Sequence, residues 1–119
     1  MFFEDPSPSY FAPASFRSLN AAGALIKTDF DVEFKRFTKS ALAALDARIR
    51  ADKLSDEQVI LDVATSFRVK VAGDVKSFPV TVEALASAEE KHPGFAATCA
   101  RSFYLSINPS EAAHHAEKN

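Results

Sequence analysis

Residues Thr28–Ser40 read TDFDVEFKRFTKS, and their period changes halfway. Phe30, Val32 and Phe34 alternate with Asp29, Asp31, Glu33 and Lys35, the period of a strand with one apolar face. Phe37 breaks the alternation. Thr38 is a suitable helix N-cap, and Leu42, Leu45 and Ile49 then recur at helical spacing beside Ala41 and Ala44. A two-faced strand therefore runs straight into a helix, with Lys35 and Arg36 at the corner.

Working outward toward the N-terminus, ASFRSL (14–19) and ALIKTDFDVEFKRF (24–37) are separated by NAAG, in which Asn20 and Gly23 supply turn chemistry. The pattern predicts a β-hairpin whose apolar face carries Ile26, Thr28, Phe30, Val32 and Phe34. An isolated hairpin is marginal in water, so that face must pack against helices or another subunit. Met1–Pro13 contains three prolines and reads as an irregular arm, 1–13. Its Phe2, Phe3, Tyr10 and Phe11 are each worth roughly 1.5–3 kcal/mol when buried, so the arm is expected to dock on its own domain or a neighbour.

Toward the C-terminus, SDEQ (55–58) has the form of a capping box. Ile60, Val63, Ala64 and Phe67 follow at i, i+3, i+4 and i+7, predicting a second amphipathic helix. For FRVKVAGDVKSF (67–78), with its Gly73-Asp74 turn, a small hairpin and a loop with extended flanks both fit. Thr81 can cap a short helix with Glu83 in its first turn, and Pro93 suits the first position of a last helix. On that helix Phe95, Cys99 and Phe103 form one stripe, flanked by Ala96, Ala100 and Ile107. Asn108-Pro109 stops it, and 108–119 is a polar tail. The expected fold is α+β, mainly α: an N-terminal β-hairpin followed by about four amphipathic helices in one domain, 14–107.

At 119 residues, 47% hydrophobic and 25% charged, the chain has ordinary globular composition. A net charge of -2 argues against nucleic acid as the main partner. A single cysteine, Cys99, fits a reducing compartment. The sequence has no apolar run of membrane-spanning length, and its acidic, proline-bearing start is unlike a signal peptide. Eleven Phe and two Tyr without Trp give either a dense core or surplus apolar surface for a partner.

Side chains that could carry chemistry do not converge. His114 and His115 are adjacent and share no helix face, so no metal site is expected. His92 reads as part of a helix entry. Cys99 lies on the stripe of Phe95 and Phe103 and reads as a buried small hydrophobe. Asp29/Asp31 and Glu89/Glu90 read as solvated charge. No glycine-rich phosphate loop is present. No enzyme, cofactor or metal is expected. The last stripe has two readings: plain core, or a core whose overflow at Phe95, Phe103, Tyr104 and Ile107 leaves an interaction face.

Taken in order, FKRFT (34–38), LSDEQVILDV (54–63), a Gly-Asp loop, FPVTVEAL (78–85) and HPGFAATCARSFYLSI (92–107) resemble the tail assembly chaperones of long-tailed bacteriophages. The resemblance covers about 14–107. Phe67 stands where that family often has Trp, AGDVKS is a shorter and less acidic loop, and the arm has no counterpart. What the resemblance implies is a protein of the bacterial host cytoplasm, absent from the mature virion. It would bind the phage tape measure protein, keep it soluble and promote polymerisation of the tail tube protein around it, with self-association into an oligomer compatible with the role. Phe67, Phe95, Phe103, Tyr104 and Ile107 would bind the partner, and Phe30, Val32 and Phe34 form the hairpin face. The alternative is a structural neck or tail component retained in the virion.

Overall fold

A computed structural model describes residues 7–107. Phe2 and Phe3 of the expected arm, the Asn108-Pro109 stop, His114 and His115 lie outside them. The order is β1 (Ser9–Leu19), β2 (Leu25–Lys35), α1 (Lys39–Asp52), α2 (Asp56–Val63), β3 (Ala64–Val71), β4 (Asp74–Pro79), α3 (Val82–Lys91) and α4 (Phe95–Ser106). The strands form one antiparallel sheet in the order β1-β2-β3-β4. With 36% of these residues in strands against 44% in helices, "mainly α" is wrong. The fold is α+β with a four-stranded sheet, two hairpins rather than one.

The first hairpin begins earlier than expected, because Ser9–Pro13 belong to β1. Pro13 is tolerated there because β1 is an edge strand, where a missing N–H costs no ladder bond. The turn is held by Asn20, whose Oδ1 accepts from the N–H of Ala22 and of Ala24, both at 2.9 Å. Gly23, at φ +82, takes the left-handed conformation that closes it.

The second hairpin settles the ambiguous segment. Val71 pairs with Asp74, so Ala72 and Gly73 are the two turn residues, at φ 52 and φ 86. Positive φ at both positions matches the right-handed twist of the flanking strands. The second helix is correspondingly shorter than its apolar spacing suggests. It ends at Val63, and Ala64 and Phe67 are strand residues, not helical ones. The physical reason lies in pairing. From Ala64 the chain is hydrogen-bonded along β2, and Val69 and Val71 favour extended backbone. Helix and strand nevertheless deliver Ile60, Val63, Ala64 and Phe67 to the same core.

Local capping follows the sequence. Thr38 and Thr81 accept from Ala41 N–H and Ala84 N–H, and Ser55 with Gln58 forms the reciprocal capping box. Helix α4 differs, because Pro93 precedes it and Gly94, with no side chain, is its N-cap. Glu89 takes over that duty. Its two carboxylate oxygens accept from Gly94 N–H and Ala96 N–H, each at 2.9 Å. These bonds hold its carboxyl below the usual range. Glu89 is thus a clasp between α3 and α4, not a solvated charge.

The core fills the space between the helices and one sheet face. Phe30 stacks on Phe95 with centroids 5.2 Å apart, Phe67 meets Phe95 edge-on at 5.3 Å, and Phe34 meets Phe103 at 5.2 Å. Such pairs add about 0.5–1.5 kcal/mol each beyond the area they bury. The opposite sheet face is polar. Glu33 accepts from Ser9 (2.7 Å), Thr65 and Ser66 (2.9 Å each), tying β1, β2 and β3 together. Thr65 reaches it because the β2–β3 register shifts between Glu33 and Phe34. Asp31 pairs with Arg68 at 3.0 Å, so it too has a partner, and the Arg68 guanidinium lies 3.8 Å from the Phe11 ring centroid.

Candidate functional site

The hairpin face is core from Phe30 to Phe34, whereas Ile26 near the turn is exposed. Phe30 is buried, and Val32 and Phe34 are fully so. Phe67, Phe95 and Phe103 are buried among them. These six side chains complete the domain's own interior and present nothing to a partner while it stays folded. Tyr104 and Ile107 differ, remaining 45% and 41% exposed near the end of α4.

Why α4 changes character along its length is visible in its neighbours. Its first half lies over the sheet, with Phe95, Ala96, Cys99 and Ala100 buried. Cys99 is wholly enclosed, and burial pushes its thiol up to about 12, so it stays protonated and unreactive. The second half is tied to β1 by two hydroxyls. Ser102 donates to the Pro13 carbonyl at 2.7 Å. Ser106 donates to the Phe103 carbonyl at 2.7 Å, which leaves Tyr10 as donor in the 2.8 Å bond between Tyr10 and Ser106. With Ser102 and Ser106 turned toward β1, Tyr104 falls on another side of the helix.

Tyr104 is held there partly desolvated, its ring 5.6 Å from that of Phe103. Burial first, then the charges of Asp56 and Asp46, push its phenol up. It is a neutral hydroxyl on an apolar ring, on a helix that packs against α2. Helix α1 is only lightly embedded, with Leu45 its one buried residue. Arg48 of α1 pairs with Asp62 of α2 at the surface. A nearly half-exposed ring with a polar tip can take an apolar helix face from a partner without disturbing the core.

Lys35 and Arg36 form a structural corner. Arg36 donates from its backbone to the Pro8 carbonyl and from Nε to the Ser7 carbonyl, both at 2.8 Å. Its guanidinium lies 4.7 Å from the Tyr10 centroid. Among the described residues no group of three or more His, Cys, Asp or Glu is placed to hold a metal ion, and no helix is long and apolar enough to cross a membrane. Sequence reasoning missed the Glu89 clasp and the Ser102 and Ser106 ties, because their partners are set by chain packing rather than by a local motif. No protein-family model matches the chain, and neither the curated proteins nor the solved structures searched contain a match.

Proposed function

We propose that this protein is a non-catalytic assembly chaperone of the phage tail type. It binds the apolar seam of a helical tape measure protein and keeps it soluble until tail tube subunits assemble around it. The reading is supported by the ordered motifs of residues 34–107. The observation that carries it is the exposure of Tyr104 and Ile107 beside a core already filled by Phe34, Phe67, Phe95 and Phe103. A long client seam presents many copies of one weak site, so reversible contacts gain avidity along it. Self-association of the chaperone would raise that avidity further. The role places the protein in the bacterial host cytoplasm and outside the finished virion.

Co-expression with the cognate tape measure protein is the test. Recovery of a soluble complex is expected, and an insoluble client with no complex recovered would sink the proposal. Tyr104→Ala should leave stability within about 1 kcal/mol, since the side chain is nearly half exposed. It should weaken the complex roughly tenfold or more, as loss of an aromatic anchor does. The reverse ordering would make Tyr104 plain core. Mass spectrometry of purified particles separates the retained neck or tail component, which would be present in stoichiometric amount, from a chaperone, which would be missing.

A further inference from the structure

A second surface, away from Tyr104, runs along the outer edge of β1. A groove of about 940 Å³ lies between β1, the α3–α4 turn and the side of α4 that carries Thr98, Arg101 and Leu105. Its charge is one-sided. Arg17, Lys27, Lys91 and Arg101 line it, against one carboxylate, Asp29, which sits 3.6 Å from Lys27. Among the described residues no carboxylate is within ion-pair distance of Arg17, Lys91 or Arg101. Arg17 and Lys27 are moreover directly opposite each other across the hairpin, a like-charge pairing that destabilises a sheet. Lys27 is paired with Asp29 and Lys91 suits the last turn of α3, but on a chain of net charge -2 Arg17 and Arg101 have no ion-pair partner among the described residues.

The backbone of the same edge is open. Successive residues of an antiparallel strand direct their N–H and C=O alternately to either side. Asn20 N–H bonds to Ala24 and Pro8 C=O accepts from Arg36, so even-numbered residues of β1 face β2. Odd-numbered residues face outward. Pro13 is among them, and its outward carbonyl is the one that takes the Ser102 hydroxyl. Past that closed point, the N–H and C=O of Ser15 and Arg17 face the groove, a short template for one more strand.

We propose that the β1 edge binds an extended, acidic segment of a partner protein by strand addition. Ser15 and Arg17 supply the main-chain bonds. Because alternate side chains of an added strand point to opposite sheet faces, acidic groups on one side meet Lys91 and Arg101, and those on the other meet Arg17 and Lys27. The inference does not rest on the chaperone reading, which uses another side of α4.

The test uses the full chain and a fluorescent blocked peptide of about ten residues repeating Glu-Glu-Thr-Thr, which carries Glu on both faces of a strand, with three comparison probes. These are the same peptide with Lys for Glu, the Glu peptide N-methylated at every residue, and an oligothymidylate of similar length. The Glu peptide should bind and slow amide exchange at Ser15 and Arg17, which strand addition alone predicts. The Lys peptide and the N-methylated peptide should each bind at least roughly tenfold more weakly, the latter because its donors are gone. Lys91→Glu with Arg101→Glu, both exposed, should weaken the Glu peptide at least roughly tenfold, and added salt should act in the same direction. Absence of binding by the Glu peptide overturns the proposal, as does equal binding after N-methylation, or protection that leaves Ser15 and Arg17 unchanged. Tighter binding of the oligothymidylate overturns it in favour of a phosphate-binding groove.

Discussion

The two hairpins share a plan and differ in what covers them. In β1–β2 the inward residues Phe30, Val32 and Phe34 are sealed beneath the helices. In β3–β4 only half of the hairpin is sealed. Phe67 is buried, yet Phe78, directly across the ladder from it, is 47% exposed, and every residue of β4 is exposed. The first hairpin is thus held by its face and the second by its ladder and turn. Equal backbone geometry can rest on burial in one place and on hydrogen bonding in another.

The largest effect expected from this contrast is in a pair of truncations. Phe34→Ala removes a ring wedged against Phe103 and Tyr10 and should cost about 3–5 kcal/mol, near the whole stability of a small domain. Phe78→Ala, one strand outward from Phe67, should cost no more than about 1 kcal/mol. Denaturant unfolding of both variants measures the difference. Equal losses would show that β4 is held by its face after all and would erase the distinction.

The same contrast explains what could be read in advance. Phe30, Val32 and Phe34 announce a strand because burial imposes a period of two on the residues themselves. Thr38, Ser55–Gln58 and Thr81 announce helix starts because an N-cap acts within three residues of sequence. Strand β4 is covered on neither side, so nothing in DVKSFP had to be apolar, and hairpin and loop read alike. The stretch from Ile60 to Phe67 misleads for a subtler reason. All four apolar residues do reach one core, but the backbone changes from helix to strand at Ala64 without a turn residue to mark it. Ser9–Pro13 misleads because Pro13 sits on an edge, the one place a strand admits it. As for the candidate site, sequence could list the aromatics of α4 but not divide them. Only the packed sheet shows Phe95 and Phe103 inside and Tyr104 and Ile107 outside.

The turns sharpen the comparison at an intermediate scale. Ala72 occupies the left-handed region at φ 52, which costs an alanine about 1–2 kcal/mol, whereas Gly73 pays no such penalty at φ 86. Ala72→Gly should therefore stabilise the protein by up to about 1 kcal/mol, part of the gain being offset by the freer unfolded chain. Gly73→Ala should lose about 1–2 kcal/mol, through backbone strain alone, since a Cβ there meets no atom within 4 Å. Asn20→Ala in the first hairpin removes two exposed hydrogen bonds and should cost about 0.5–1 kcal/mol. Thermal melts order the three, and a second hairpin indifferent to its turn residues would contradict the role assigned to its turn.

The smallest effect lies where the hairpins meet. Glu33 of β2 collects hydroxyls from Ser9 on the first hairpin and from Thr65 and Ser66 on the second, and these bonds hold its carboxyl below the ordinary value of 4.5. A carboxyl depressed in the folded state stabilises it above the unfolded pKa, and that contribution disappears as pH falls through the folded pKa. Glu33→Gln should therefore melt below the natural protein at about pH 7, with the gap closing as pH drops well under 4.5. Glu89, depressed by the backbone of Gly94 and Ala96, should behave the same way on substitution by Gln, although it joins two helices. The distinction between them is spatial. Amide exchange at Thr65 and Ser66 should quicken in Glu33→Gln and not in Glu89→Gln, because of these two carboxylates Glu33 alone lies at the seam between the hairpins. A pH-independent gap for Glu33→Gln would mean that the charge of Glu33 adds nothing to the ladder bonds and the Asp31–Arg68 pair that join the hairpins.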